Sequence, residues 1–472
     1  THGTLSFQHG PSRERKAFTA WDNAEVPLMR AVVLVCRIGN RIDAHIDHHP
    51  QIASLGTLMK GRPMSDRSPS SVNGGAKTQN VSTRLAHAGR SPHDNHGVVN
   101  PPVYHASTIL QPSYAAWLES RNADFDGYRY GRAGTPTSRS FEQAVAELYG
   151  AADAVAVSSG LAAIAGALMA VLKAGDHLLV SDSAYFPTRK FCDNMLARYG
   201  VETTYYDPAI GAGIAALMRD NTKAVYTEAP GSLTFEMQDI PAITEVAHAR
   251  GAVVLTDNTW GTPLHFDPLS KGVDIVIEAV TKYICGHSDV MMGVIASTAE
   301  WAPEVRAMVK MHGNCSGPDD LYLALRGLRT MGVRLKQNEA TGIELATWLE
   351  SRPEVSRVYH PALPSHPDHA LFKRDFTGAC GLFSFVLKPV PKSALAAFLD
   401  GLELYGMGAS WGGFESLILP GDPAKLRTAT TWDDPGQLLR VHAGLEDPAD
   451  LIADLEAGFV RLNAASAAEA AA

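Results

Sequence analysis

Three short stretches carry residue types that could do chemistry together. In Ala279-Val280-Thr281-Lys282-Tyr283-Ile284-Cys285-Gly286-His287-Ser288-Asp289 an apolar run ends, a lysine follows at once, and a Gly-His-Ser-Asp turn comes after it. A lysine at the carboxyl end of a buried strand is partly withdrawn from water, which lowers its pKa and leaves a neutral amine able to form an imine. The ordinary alternative is a strand-end lysine whose stem lies on apolar surface with its ammonium in solvent. In Val253-Val254-Leu255-Thr256-Asp257-Asn258-Thr259-Trp260 an aspartate stands at the end of another strand. A carboxylate there can keep a pyridinium-type nitrogen protonated, so that the ring accepts electrons from a carbanion. It can equally be the capping or turn aspartate that commonly follows a strand. In Val157-Ser158-Ser159-Gly160-Leu161-Ala162-Ala163 small residues join a strand to a helix. Free N–H groups and the helix dipole at such a junction can hold a phosphate. Taken alone, it also reads as a plain β–α connection.

These residues need a frame that brings them together. Ala154–Val157, His177–Ser181, Ala224–Thr227, Val253–Thr256 and Ile275–Val280 are short β-rich runs, and Leu161–Leu172, Thr188–Tyr199, Ile214–Arg219 and Ile240–Arg250 read as helices between them. Such alternation implies a mostly parallel sheet with helices on both faces. Ligands of these sheets sit at the carboxyl ends of the strands, where all three stretches fall. From about Arg329 the pattern changes to a long helix, a strand over Leu382–Leu387, a helix from Lys392 and a last helix over Ala449–Leu462. This predicts an α/β domain over 135–328 and a smaller α+β domain over 329–472, with the Ala-rich end, Ala464–Ala472, frayed. Residues 78–134 read as an N-terminal arm.

Residues 1–77 have a different texture: little periodicity, a cluster of His45, His48 and His49, and a Ser/Gly/Pro-rich end from Met64 to Lys77. They lack the basic start and apolar core of a secretory signal, and Glu14, Asp22, Glu25, Asp43 and Asp47 count against a transit peptide. No pattern around the histidines supplies a shaped metal site, so this extension is expected to be disordered and to hold no metal.

Composition bounds the function. With 472 residues, 45% hydrophobic and 19% charged, the chain can bury a large core in two or three domains. Forty-one basic against fifty acidic side chains leave a net charge of −9, without the basic footprint of a nucleic-acid binder. Runs such as Ala31–Cys36 and Ala252–Leu255 are far too short to cross a bilayer. Cys36, Cys192, Cys285, Cys315 and Cys380 are odd in number and form no CxxC pair. That argues against a disulfide framework or structural zinc, and for a reducing, cytoplasmic location.

A phosphate turn, a carboxylate and a lysine at successive strand ends carry a resemblance. From about Thr83 to Leu462 the chain resembles the pyridoxal-phosphate enzymes of cysteine and methionine metabolism, which share the fold of aspartate aminotransferase, fold type I. The resemblance implies pyridoxal 5′-phosphate as cofactor, with Lys282 as its Schiff-base lysine and Asp257 as the partner of its ring nitrogen. The amides of Gly160 and Leu161 and the Thr281 hydroxyl would bind its phosphate. Tyr185, in Ser183-Ala184-Tyr185-Phe186-Pro187, matches the aromatic that stacks on the ring. Tyr128-Arg129-Tyr130-Gly131-Arg132-Ala133-Gly134-Thr135-Pro136-Thr137 resembles a segment that reaches into a neighbouring subunit. Tyr130 and Arg132 would then contact the phosphate across a homodimer or homotetramer interface, the arginine bidentately. Lys282, Tyr185 and Tyr130 are the implied catalytic residues. In Leu438-Leu439-Arg440-Val441-His442-Ala443-Gly444-Leu445-Glu446, Arg440 would clamp the substrate α-carboxylate, the alternative being a strand-end arginine in a structural ion pair. Ser410-Trp411-Gly412-Gly413-Phe414-Glu415-Ser416 resembles the substrate loop, with Ser410 near the lysine and Trp411 in the pocket.

Departures from the wider family narrow the branch. Ser232-Leu233 stands where γ-members carry Asn-Pro, Thr135-Pro136-Thr137 where they carry Asn-Pro-Thr, Trp411 where they carry Leu, and Ala279 where a Ser is common. All four look like the β-lyase branch, which implies β-elimination of L-cystathionine to homocysteine, pyruvate and ammonia in methionine biosynthesis. The alternatives are a broader cysteine-S-conjugate β-lyase, a γ-lyase or γ-synthase of the same fold, and a silent regulatory protein that keeps the fold.

Overall fold

The apolar runs of the first half show no polar–apolar alternation, and a strand of that kind must be covered on both faces. In the computed structural model, which describes residues 79–122 and 125–471, they build a seven-stranded sheet. Its strands are Asp153–Val157 (β1), His177–Ser181 (β2), Glu202–Tyr206 (β3), Thr222–Glu228 (β4), Val253–Asp257 (β5), Ile275–Glu278 (β6) and Gly293–Ser297 (β7), in spatial order β1-β7-β6-β5-β4-β2-β3. All neighbours are parallel except at β7, which runs antiparallel to both β1 and β6. Alternate side chains enter opposite cores. Val155, Val157, Leu178, Val180 and Leu255 meet the helices Gly160–Val171 (α2) and Ala302–Met311 (α4). Ala154, Ala156, Leu179, Val225 and Val254 meet Pro136–Tyr149 (α1) and Ile240–Ala249 (α3) on the other side. The extension 1–77, with His45, His48 and His49, lies outside the described residues.

A second sheet of four antiparallel strands, in order β10-β11-β9-β8, comprises Val355–Tyr359 (β8), Leu382–Leu387 (β9), Leu417–Gly421 (β10) and Leu438–His442 (β11). One long helix, Pro318–Glu350 (α5), serves both cores: Leu321, Leu328 and Met331 join the first, and Leu345, Ala346 and Leu349 the second. Lys392–Asp400 (α6) and Pro448–Ala470 (α7) complete the second core through Phe398, Leu455 and Phe459.

Four expectations change in detail. The long helix starts at Pro318, not near Arg329. At Gly327 within it a Cβ would lie 2.5 Å from the Ile284 and Cys285 carbonyls, so glycine is what lets α5 pass the segment after Lys282. β6 ends at Glu278 rather than Val280, because the Ala279 N–H leaves the ladder to bond the Thr259 hydroxyl. The helix expected over Ile214–Arg219 is instead a 3₁₀ stretch, Pro208–Leu217, broken at Gly211. The Ala-rich end is helical through Ala470, as alanine's propensity favours, and Ser393 bonds Glu469 from the adjoining helix.

The two sheets meet through a buried carboxylate just beyond β2. Asp182 accepts the backbone N–H groups of Thr428, Ala429 and Thr430 at 2.9–3.2 Å, both threonine hydroxyls, and Arg189 at 2.8 Å. Burial alone would raise its pKa, but these donors hold it below the ordinary carboxylate value of 3.8. Removing one partner of such a buried set typically costs about 3–5 kcal/mol. Asp182→Ala should therefore lower the chemical-denaturation stability by that order, with the β10–β11 connection loosened in hydrogen exchange. Because the folded pKa is depressed, the Asp182 contribution is complete above 3.8 and is lost as pH falls below it. A wild-type stability in the alanine variant would remove this carboxylate from the account.

Candidate active site

The spatial order of the strands converts distant residues into neighbours. Along the carboxyl edge of the sheet run the Gly160 turn after β1, the amino end of β7, Lys282 after β6, Asp257 at the end of β5, Glu228 at the end of β4 and Tyr185 beyond β2. The turn is built for close approach. A Cβ on Gly160 would lie 2.8 Å from that of Ala279, and one on Gly293 would lie 2.3 Å from the Ser159 carbonyl. The first turn of a helix leaves N–H groups unpaired. Here the Ser159 hydroxyl caps Ala162 and the Ser159 carbonyl takes Ala163, so Gly160 and Leu161 keep their amides for an outside acceptor. This suits a phosphate. The Thr281 hydroxyl accepts from Met292 N at 2.9 Å and donates to Met292 O at 3.1 Å, pinning β7 to the lysine turn.

Lys282 is half-buried. Its Nζ donates to the Ser410 hydroxyl at 2.6 Å and lies 5.3 Å from the Trp411 ring centroid. Burial, aided by the Arg440 charge and opposed by Asp257, lowers its pKa from 10.5 to about 8. Gly412, at φ +82°, packs its backbone on the lysine; a side chain there would meet Lys282 Cα at 3.0 Å. Asp257 is anchored by Thr259. Thr259 gives its Oδ1 both a hydroxyl bond of 2.6 Å and a backbone N–H bond of 3.0 Å. Burial raises the Asp257 pKa, while the Thr259 bonds, Tyr226 and the Lys282 charge act against the rise. With Oδ1 engaged by Thr259, the other carboxylate oxygen would be the one left for a protonated ring nitrogen.

Two supporting residues carry no signal in the sequence alone. Thr259 accepts the Ala279 N–H at 2.9 Å while donating to Asp257, so one hydroxyl couples the carboxylate to the chain leading to Lys282. Glu228 is the register partner of Asp257 across β4 and β5 and accepts the Tyr185 N–H at 2.7 Å. Burial and the Asp257 charge push its pKa well up, against the Tyr185 N–H bond. Tyr185 itself is 44% exposed, its ring free to cover a ligand. Burial, Glu228 and Asp257 raise its phenol pKa, against the pull of Arg440.

Arg440 lies at the middle of β11 rather than at its end. It donates to the Ser410 carbonyl at 3.0 Å, and among the described residues no carboxylate pairs with it. Burial lowers its pKa, and Tyr185 acts the other way. An unpaired, largely enclosed guanidinium beside an amine calls for an anionic ligand. Lys282, Ser410, Trp411, Arg440, Asp257 and Tyr185 are thus brought together, from both sheets. Tyr130 and Arg132 are not. Arg132 donates to the Lys310 carbonyl at 2.8 Å, and both line a separate cleft of about 330 Å³ with Arg306 and Asn314.

Comparison with known proteins identifies the family. The family model for Cys/Met metabolism PLP-dependent enzymes matches residues 82–460. A Rhizobium johnstonii relative is 52% identical over 81% of this chain and 97% of its own. The cystathionine β-lyase MetC of Escherichia coli is 43% identical over 81% of this chain and 98% of its own. The crystal structure of metB from Corynebacterium glutamicum superposes with a TM-score of 0.75 at 33% identity, covering 82% of this chain and 99% of that one. The residues fit pyridoxal phosphate: two unpaired helix-start amides, a buried carboxylate anchored by Thr259 and a lysine with a depressed pKa. Capture of the aldehyde needs the neutral amine. The rate at which cofactor-free protein takes up pyridoxal phosphate should rise with pH and level off above about 8, where Lys282 has lost its proton, rather than above 10.5. Stopped-flow absorbance measures this, and a plateau only above pH 10 would contradict the pocket described.

Proposed function

The chain belongs to the Cys/Met metabolism PLP-dependent enzymes, and on that premise we propose that it cleaves the Cβ–S bond of L-cystathionine, yielding homocysteine, pyruvate and ammonia in methionine biosynthesis. It is an enzyme whose cofactor is pyridoxal 5′-phosphate. The observation that carries the reading is the meeting of the Lys282 amine, its pKa lowered to about 8, with an Arg440 guanidinium that no carboxylate of the described residues occupies.

The bound cofactor supplies an electron sink for the charge left at Cα. Around it, Lys282 provides the attachment amine, Asp257 holds a proton on the ring nitrogen, and the Gly160 and Leu161 amides take the phosphate. Arg440 binds the substrate α-carboxylate and so aims the Cα–H bond at Lys282. The Ser410 hydroxyl, 2.6 Å from Nζ, orients the amine that takes this proton. Lys282 or the Tyr185 phenol then gives a proton to the departing sulfur. Trp411 narrows the pocket on the thioether side. The Thr281 hydroxyl, bonded to Met292, serves the turn and is left only a secondary part in phosphate binding.

Tyr130 and Arg132 enter this scheme through a second subunit, as catalytic and phosphate-binding groups of the neighbour's site. The described arm favours such a partner: Leu110, Tyr114, Trp117 and Leu118 are all exposed. A homodimer, alone or paired into a homotetramer, is the assembly proposed. No helix of the described residues is long and apolar enough to cross a membrane, and Cys192, Cys285, Cys315 and Cys380 are free, in keeping with a cytoplasmic enzyme.

Purified protein with pyridoxal phosphate and L-cystathionine should release pyruvate and homocysteine. 2-Oxobutyrate with cysteine would move it to the γ-branch, and turnover only on other thioethers to the broader S-conjugate lyases. General acid–base catalysis alone is worth about 10²–10⁴-fold, and Lys282→Ala also loses the attachment point, so its turnover should vanish. Arg440→Ala forfeits charge-assisted bonds of about 1.5–3 kcal/mol and should lower kcat/KM about 10- to 100-fold, chiefly through KM. Shared sites give a further test. Lys282→Ala and Arg132→Ala subunits, each inactive alone, should regain about a quarter of wild-type activity when randomly reassociated, because one intact site forms in each hybrid. No recovery in verified hybrids would place Arg132 outside the site.

A further inference from the structure

His442 is a buried histidine that the reaction scheme leaves unused. It ends β11, two residues beyond Arg440, and is 1% exposed. Its Nε2 faces the Gly413 carbonyl at 3.2 Å. A carbonyl oxygen only accepts, so the ring proton sits on Nε2 and Nδ1 carries the lone pair. That Nδ1 is buried without a partner, and burial holds the ring neutral by pushing its pKa down to about 4. An unpaired buried acceptor is unfavourable, so the ring's placement is set by its other contacts.

Those contacts converge on the lysine. The His442 ring stands 5.9 Å from Tyr283, which stands 5.5 Å from Trp411, whose ring faces the Lys282 amine at 5.3 Å. The far half of the Ser410–Ser416 loop is well secured: Leu445 N–H bonds Phe414 O at 2.8 Å, Ser416 N–H bonds Glu446 at 2.8 Å, and Gly444 N–H bonds the Ser416 hydroxyl at 2.9 Å. The near half, which carries Ser410 and Trp411, is tied to β11 by two side chains, Arg440 on the Ser410 carbonyl and His442 on the Gly413 carbonyl. Arg440 must turn some of its donors to a substrate carboxylate, which leaves His442 as the tie that does not compete with substrate.

We propose that His442 is a positioning residue: its Nε2–H pins the Gly413 carbonyl and its ring backs Tyr283, which together hold Trp411 and Ser410 against Lys282 while Arg440 engages the substrate. The inference rests on Arg440 being the carboxylate clamp, but its first readout does not. His442→Phe keeps a ring and removes the donor; His442→Gln puts an amide N–H in place of Nε2–H. In cofactor-free protein, acrylamide quenching of the Trp411 component, defined against Trp411→Phe, should increase in the Phe variant and stay at the wild-type level in the Gln variant. In the loaded enzyme the Phe variant should show kcat/KM lowered about tenfold, the worth of one lost hydrogen bond, through a raised KM and a lowered kcat, and Gln should restore both. Wild-type quenching and KM in the Phe variant would overturn the proposal, as would a Gln variant as loose as Phe. If His442→Phe does not fold, the Gln variant decides alone: a wild-type Trp411 signal supports the donor role and a loosened one refutes it. Because quenching needs neither cofactor nor substrate, altered quenching with no lyase products would count against the β-lyase reading and leave the His442 assignment standing.

Discussion

Withdrawing the Lys282 amine from water beside a second cation, Arg440, is unfavourable by itself, and much of the site exists to make it tolerable. Burial and the guanidinium both favour the neutral amine, which is the reactive form. Asp257 and the Ser410 hydroxyl act as partners for whatever charge remains. Glu228, beside Asp257, has its pKa pushed up by burial and by the Asp257 charge, which disfavours two ionised strand-end carboxylates at one place. The result is a cleft with one amine, one free guanidinium and one carboxylate, each lacking a partner that a cofactor-bound amino acid would provide.

Holding such groups in place requires rigid backbone rather than long side chains. Glycines at 160, 327 and 412 let the turn before α2, α5 and the Ser410 loop approach the lysine segment at distances that any Cβ would obstruct, and Gly293 does the same for β7 against Ser159. The same α5 helix contributes to both hydrophobic cores, and Asp182 fastens the β10–β11 connection to the edge of the first sheet. Arg440 and Ser410 belong to the second sheet and its loops, while Lys282 and Asp257 belong to the first. Packing between the two is therefore part of the chemistry.

Much of this was legible in the sequence. Lys282, Asp257 and the Gly160–Leu161 turn are visible because burial of an apolar run and the start of a helix are local properties, written in neighbouring residues. The mostly parallel sheet follows from the alternation of such runs with helices. Less was legible where a residue's role depends on a distant partner. Thr281 reads as a phosphate ligand, and nothing in its neighbouring residues shows that its hydroxyl also bonds Met292. Thr259, Glu228, Asp182 and His442 look like unremarkable strand-end residues, and nothing beside Gly327 shows that α5 must pass close to the lysine segment there.

By itself the sequence determined which residue types stand at strand ends and that these alternate with helices, since periodicity and turn chemistry act over a few residues. The tertiary structure decided their order in space. Chain order runs Gly160, Tyr185, Glu228, Asp257, Lys282, whereas along the sheet the order is Gly160, Lys282, Asp257, Glu228, Tyr185, because the strands pair as β1-β7-β6-β5-β4-β2. That permutation sets phosphate turn, amine, carboxylate and aromatic ring side by side. It arises from which strands hydrogen-bond to which, a choice made by the burial of whole faces rather than by any short stretch of chain.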